Sequence, residues 1–198
     1  MEYLMFKLPP KETFLKQDGC YDHQSNLYFE AIKYCDNFTT AIDVGAHIGL
    51  FSSKMVNDFQ NVIAFEPAFY DYLKENVSSE KLKIYPYALS NEETTKKFYI
   101  KEHHTGMSRI DDNGDQIIQT KTLDSYNFTN IDLIKIDTEN HERYVVEGMQ
   151  NFLQNNQPVI IIEINDKKNK ENILSNLQSL NYKLKNQINN DFILAKES

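Results

Sequence analysis

The amino-acid sequence predicts an α/β fold, a single Rossmann-like domain on a mostly parallel central sheet that closes with a C-terminal antiparallel strand pair. Three observations predict it. Between residues 40 and 180, short apolar runs alternate with amphipathic stretches. The runs TAIDV, NVIAF, IDLIKI and VIIIEI are apolar almost throughout, as strands covered on both faces are. The stretches between them repeat apolar residues at three- and four-residue steps, which places helices on both sides of the sheet. The 198 residues suit one domain.

Taken in order, residues 1–39 read as a helical preface and a possible lid. Pro9-Pro10 and Asp18-Gly19 mark turns. Leu27, Ala31, Tyr34 and Cys35 predict a helix over 24–35. The domain proper then spans 40–198. A strand over 40–44 leads to a helix over 49–59, with Leu50, Phe51, Met55 and Phe59 on its apolar side. A strand over 61–65 leads to a helix over 68–77, carried by Phe69, Tyr72, Leu73 and Val77. A third strand covers 82–85. An insert of about 91–130 then breaks the rhythm, with added strands near 94–100 and 117–123 around a polar middle. A long insert above a sheet commonly serves as a lid or a substrate platform. The alternation resumes with a strand over 131–136, a helix over 141–153, a strand over 159–164 and a helix over 169–180. Residues 182–185 and 192–195 form the closing pair.

Composition narrows the function. The chain is 40% hydrophobic and carries a formal net charge of −8, which argues against non-specific nucleic-acid binding. No apolar run approaches the ~18–20 residues that cross a bilayer. The first sixteen residues lack the pattern of a signal peptide. Two cysteines, Cys20 and Cys35, make no disulfide framework and no zinc spacing. A reducing cytoplasm is the expected setting.

In an open parallel sheet, ligands bind beyond the carboxyl ends of the strands. After the first strand comes Asp43-Val44-Gly45-Ala46-His47-Ile48-Gly49, a tight turn that opens a helix. Glu66 stands at the tip of the second strand, where a carboxylate accepts hydrogen bonds from ribose hydroxyls. A dinucleotide would want G-x-G-x-x-G. Here His47 fills a position that should be small, and Asp43 would face phosphates. A cofactor bearing a sulfonium or amino group matches better.

The segments AIDVGAHIGLFS, VIAFEP, YALSN, DLIKIDTENHERYVVEGM and IIIEIN follow in order. Together they resemble the FkbM family of S-adenosyl-L-methionine-dependent O-methyltransferases, over roughly residues 40–165. Two departures stand out: His47 where the family carries Asn, and Asn140 where it carries Gly. The resemblance implies that Asp43, Gly45 and Gly49 cradle the methionine part, with His47 in the same turn. It implies that Glu66, beside Pro67, binds ribose, that Ala88, Leu89 and Ser90 lie near adenine, and that Asp137 stands where donor meets acceptor. The implied acceptor is a hydroxyl of a sugar, glycan or other small molecule. Methylation of nitrogen or carboxylate is the enzymatic alternative, and a non-catalytic cofactor binder the other.

Transfer to a hydroxyl needs the acceptor's proton removed or shared. Asp137, Glu139 and His141 are the catalytic candidates, clustered where the fourth strand ends; His141 offers an imidazole base near neutral pH. Glu142 in the same cluster also suits a helix N-terminus. Candidates for the acceptor side are His104, Ser108 and Arg109 in the insert, with Arg109 suited to an acidic group, and Glu163 and Asn165 on the rim of the fifth strand. No metal is expected, a divalent ion across Asp137, Glu139 and Glu163 being the alternative. Three substitutions follow as expectations. Asp137→Asn, at the best-placed candidate base, should leave the domain folded, keep much of the cofactor affinity and lower methyl transfer by at least about tenfold. Glu66→Ala should harm cofactor binding more than folding, and Gly45→Val should abolish binding by filling the approach to the ligand.

Overall fold

The computed structural model describes residues 6–15 and 24–196; the turn expected at Asp18-Gly19 lies outside them, as does Cys20. The chain order is α1 (Ser25–Ala31), β1 (Thr40–Val44), α2 (Ser52–Asp58), β2 (Asn61–Phe65), α3 (Tyr70–Asn76) and β3 (Leu82–Tyr85). Four short strands follow: β4 (Ala88–Leu89), β5 (Thr95–Tyr99), β6 (Arg109–Ile110) and β7 (Gln116–Lys121). The rest is β8 (Leu133–Ile136), α4 (Glu142–Glu147), α5 (Gln150–Asn156), β9 (Val159–Glu163), α6 (Lys167–Ser179), β10 (Tyr182–Ile188) and β11 (Asp191–Lys196).

The main sheet has the order β10-β11-β9-β8-β1-β2-β3. Its pairs from β9 to β3 are parallel, and β11 and β10 close it antiparallel. Every residue of β1 and β8 is buried, which is why their sequences are apolar runs and not alternations. Period-two alternation still decides which layer each residue meets. Ile42, Val44, Ile134 and Ile136 pack with Val145, Met149, Phe152 and Leu177 of α4, its exit turn, α5 and α6. Ala41, Leu133 and Val62 face Leu27 and Tyr28 of α1, Met55 of α2 and Phe59 just after it. By the same alternation, Asp43 and Lys135 point toward the α2 layer, opposite each other in register.

Two elements differ from the sequence expectation. The helix expected over 24–35 is α1 followed by a 3₁₀ turn, Ile32–Tyr34. The helix expected over 141–153 is two helices, broken around Gly148 and Met149. A β-carbon on Gly148 would stand 2.0 Å from the Ser90 carbonyl oxygen, so the chain at the break lies directly against the segment after β4. The polar region between β3 and β8 builds a second sheet, β4-β7-β5-β6, which stands beside the rim of the first.

Candidate functional site

The sheet order reverses direction at β1, whose neighbours are β2 on one side and β8 on the other. A crevice opens at such a switch point. Three turns leave it. The turn after β1 is held by Gly45 and Ala46 amides donating to the Phe65 carbonyl. Gly45 has φ +75°, and a β-carbon there would lie 1.9 Å from the Asp137 carbonyl oxygen. Gly49 has φ +97°, and a β-carbon there would strike Val77 and Leu73 at 2.6 and 2.7 Å. Both glycines are therefore demanded by protein neighbours. Gly49 packs the turn onto α3 and does not line the crevice.

One cavity runs from Gly45 and His47 past Glu66, Pro67 and Phe69 to Ala88, Leu89 and His141. It encloses about 530 Å³, counting its open mouth. Phe65, Leu89, Phe98 and Ile110 give it apolar walls. Glu66 is 4% exposed. Its Oε1 accepts from the Ala68 and Phe69 amides and its Oε2 from the His47 amide. A carboxylate has about four acceptor sites, so roughly one remains on Oε2 for a ligand hydroxyl. Ser90 lies behind the wall, its hydroxyl 3.0 Å from His141 Nε2. Burial pushes the His141 imidazole down to about 4, and its ring stacks on Tyr144. It is a neutral side chain on the Ala88–Leu89 side of the cavity. This departs from the expectation of a base near neutral pH, because the buried ring resists protonation.

A second cavity, about 1020 Å³ with its mouth, shares Gly45, His47, Gly106, Asp137 and Glu139 with the first. Its remaining walls include Phe14, Leu50, Phe51, His104, Lys135, Glu163 and Asn165. One oxygen from each of Asp137, Glu139 and Glu163 lies within 4.8 Å of the others, a spacing that a hard cation could bridge. The Lys135 ammonium stands 3.1 Å from Asp137 and 3.8 Å from Asp43, above the Phe51 ring. Burial opposes its charge, but Asp137 and Asp43 outweigh that and hold its pKa above the usual lysine range. Asp43 is fully buried and lines neither cavity; it accepts from Ser52 and faces Lys135. Burial, then Asp137, pushes Glu163 up to about 9, and the two carboxyls share a hydrogen bond. Burial, then Asp137 and Glu142, pushes Glu139 up to about 7.

Glu139 and Asn140 both have positive φ, 53° and 74°. Glu142 holds this turn by accepting from the Thr138 amide and hydroxyl and the Asn140 amide. Glu139 itself has no hydrogen-bond partner among the described residues, and a strained backbone carrying an unbonded carboxylate is typical of a functional position.

The N-terminal segment crosses this end of the sheet. Glu12, fully buried, accepts from the Phe14 and Leu15 amides with one oxygen and from the Thr105 amide and hydroxyl with the other. Thr105 Oγ lies 2.9 Å from His47 Nε2. The hydroxyl donates to Glu12, so it accepts from His47 and fixes the Nε2–H tautomer. Phe14 stacks on His104 at 3.8 Å. Arg109 lines neither cavity; its guanidinium is bound by Asp111. Its expected contact with an acidic substrate group is thus not what the structure builds.

The family model described as "Methyltransferase FkbM domain" matches residues 43–184. This chain belongs to the FkbM methyltransferase family. Among solved structures, an FkbM methyltransferase from Methylobacillus flagellatus KT matches at 16% identity, TM-score 0.55, covering 79% of this chain and 42% of that one. The chain thus spans less than half the length of that FkbM relative. A ribosomal protein L11 methylase from Lactobacillus delbrueckii subsp. bulgaricus matches at 11% identity, TM-score 0.56, covering 89% and 79%. The N-methyltransferase NodS from Bradyrhizobium japonicum WM9 matches at 11% identity, TM-score 0.52, covering 90% and 96%. At these identities the likeness is one of fold, the class I Rossmann-like methyltransferase fold. A search of curated proteins returns no match.

In this FkbM-family chain, Gly45, His47, Glu66, Pro67, Ala88, Leu89, Ser108, Asp137, Glu139 and His141 converge on the first cavity. His104, Glu163 and Asn165 join the second. Sequence reasoning missed Glu12, Thr105 and Lys135. Lys135 had a signal, a cation inside the apolar run IDLIKI, and Thr105 stands in the polar run 103–109 of the insert; Glu12 had none.

Proposed function

We propose that this chain transfers a methyl group from S-adenosylmethionine to a hydroxyl oxygen of a small molecule or glycan. The observation that carries the reading is a change of character along one crevice. An apolar slot beside Glu66 leads to the carboxylates Asp137, Glu139 and Glu163. Among the described residues, their only lysine or arginine neighbour in the cavity lining is the already paired Lys135. Such a crevice suits a ligand with a nucleoside at one end and positive charge at the other, and repels a pyrophosphate.

The residues present fit that cofactor. Leu89, Phe65 and Phe69 would flank its base, the remaining acceptor site of Glu66 would take a ribose hydroxyl, and the carboxylates would face its cationic end. When bound, the cofactor supplies a methyl group on a sulfonium. Glu139 lines both cavities and is the group that takes the acceptor's proton. Asp137 is already engaged by the Lys135 ammonium and by the Glu163 carboxyl. Its part is to raise the basicity of Glu139 through its nearby charge. The N-terminal segment and residues 101–107 keep water out.

Titrating S-adenosylhomocysteine into the protein by calorimetry tests the cofactor; absence of binding would defeat the proposal. A turnover screen with labelled S-adenosylmethionine against sugars, glycolipids and small alcohols tests the reaction. Product analysis separates oxygen from nitrogen or carboxyl methylation. With an acceptor in hand, Glu139→Gln is expected to lower kcat by about 10²–10⁴-fold, the range for a lost general base.

A further inference from the structure

We propose that the larger cavity is the acceptor site and that it selects hydroxyl compounds free of negative charge, favouring those that carry an ammonium group. This rests on the methyl-transfer reading of the neighbouring cavity. Position is the first argument. The two cavities meet at Gly45, His47, Asp137 and Glu139, so a molecule in the larger one lies against the end of the crevice assigned to the donor's cationic part.

Charge is the second argument. Asp137, Glu139 and Glu163 line this cavity, and Asp191 stands opposite Glu163 in strand register. Against them, Lys135 is the one lysine or arginine in the lining among the described residues, and it is engaged by Asp137 and Asp43. Arg109, the one arginine of the insert, is bound by Asp111. His47 is held neutral by burial. Among the described lining residues, an anionic acceptor finds no unpaired lysine or arginine and at least three carboxyl groups. A hydroxyl or ammonium finds acceptors for its hydrogens, since an ammonium brings three donors and no lone pair.

Shape is the third argument. The lining also carries Phe14, Leu50 and Phe51, with His104 stacked on Phe14. Apolar and aromatic surface together with carboxyl acceptors suits a ring bearing hydroxyl groups, and an aromatic face also attracts a cation. Burial and mutual crowding raise the proton affinity of Glu139 and Glu163, and a cationic acceptor would offset the same crowding.

The test uses the full chain saturated with S-adenosylhomocysteine and three matched probes: methyl glucoside, the methyl glycoside of glucosamine and the methyl glycoside of glucuronic acid. Affinities are read by ligand-observed NMR titration. The ammonium probe is expected to bind at least about tenfold more tightly than the carboxylate probe, the modest end of what like-charge juxtaposition costs, with the neutral probe between them. In Glu163→Gln the gap should narrow, while S-adenosylhomocysteine affinity reports that the variant is still folded. Asn165→Ala is the second variant should the first fail to fold, and it should weaken all three probes. Equal or tighter binding of the carboxylate probe overturns the proposal. So does failure of all three probes while S-adenosylhomocysteine binds, or an unchanged gap in folded Glu163→Gln. Failure of S-adenosylhomocysteine to bind would instead sink the methyl-transfer reading, and this inference with it.

Discussion

At Gly45 a single methyl group would collide with the backbone of the next strand. The expectation from sequence was that a side chain here would block a ligand; the structure puts the Asp137 carbonyl in that space. Gly45→Ala is therefore expected to cost about 2–4 kcal/mol of stability, from left-handed backbone strain plus overpacking, seen as a lowered urea midpoint. An unchanged midpoint would mean that β8 yields freely. Glu66 is a similar case. Its three amide bonds make it part of the turn as well as the site. Glu66→Ala should thus lose about 1–3 kcal/mol of stability for each amide left unsatisfied, along with S-adenosylhomocysteine affinity. Loss of affinity with full stability would return it to a purely ligand-binding role. Glu139 adds a pH dependence. Its folded pKa is raised to about 7 by burial, so the folded state holds a proton that the unfolded state releases near the ordinary glutamate value. Between those two pH values the folded state binds more protons, and stability falls as pH rises. Without ligand, thermal stability should drop between about pH 4.5 and 7, and Glu139→Gln should flatten that part of the curve. A Glu139→Gln curve with the same slope as the wild type across this window would show that Glu139 ionises normally.

At the scale of elements, Gly148 shows what periodicity hides. The apolar spacing of residues 141–153 runs through the break between α4 and α5, because both helices face the same core. The break answers to Ser90, whose carbonyl leaves no room for a β-carbon. Gly148→Ala should push back the segment after β4 and separate Ser90 from His141. Overpacking of about 1–3 kcal/mol would lower the melting temperature by several degrees in a chain of this length. An unchanged melting temperature would mean that the break is set elsewhere. The β4-β7-β5-β6 sheet was legible only in part. Residues near 94–100 and 117–123 alternate as strands do, whereas β4 and β6 are two-residue strands with no periodicity to read.

At the scale of the whole molecule, the N-terminal segment is tied to the insert by backbone hydrogen bonds to His103, by the Phe14–His104 stack and by one buried carboxylate. Glu12 and Thr105 are 93 residues apart in sequence, and Thr105 passes the contact on to His47. Glu12→Ala would leave four donors without their acceptor. The expected result is faster hydrogen exchange in residues 10–15 and 101–107, with protection of β1 and β8 unchanged, because the strap is outside the main sheet. Exchange that rises equally in β1 would show that the strap is part of the global fold and not a separate opening unit. Among the described residues, no helix is long and apolar enough to cross a membrane.

What the sequence determined by itself is what short-range chemistry can state. Apolar runs and helical spacing specified a parallel sheet with two helical layers, and the rim rule then pointed at Gly45, Glu66 and Asp137. What only the tertiary structure decided are the partners. Asp43 was expected at the cofactor, yet it is buried beneath Lys135, because register sets them side by side. Arg109 was expected at a substrate, yet Asp111 holds it. Glu139 stands between two cavities because Glu142 holds its turn and because Asp137 and Glu163 arrive from two different strands. Distance along a chain carries no information about which charges meet across a sheet, and a carboxylate's proton affinity is set by that meeting.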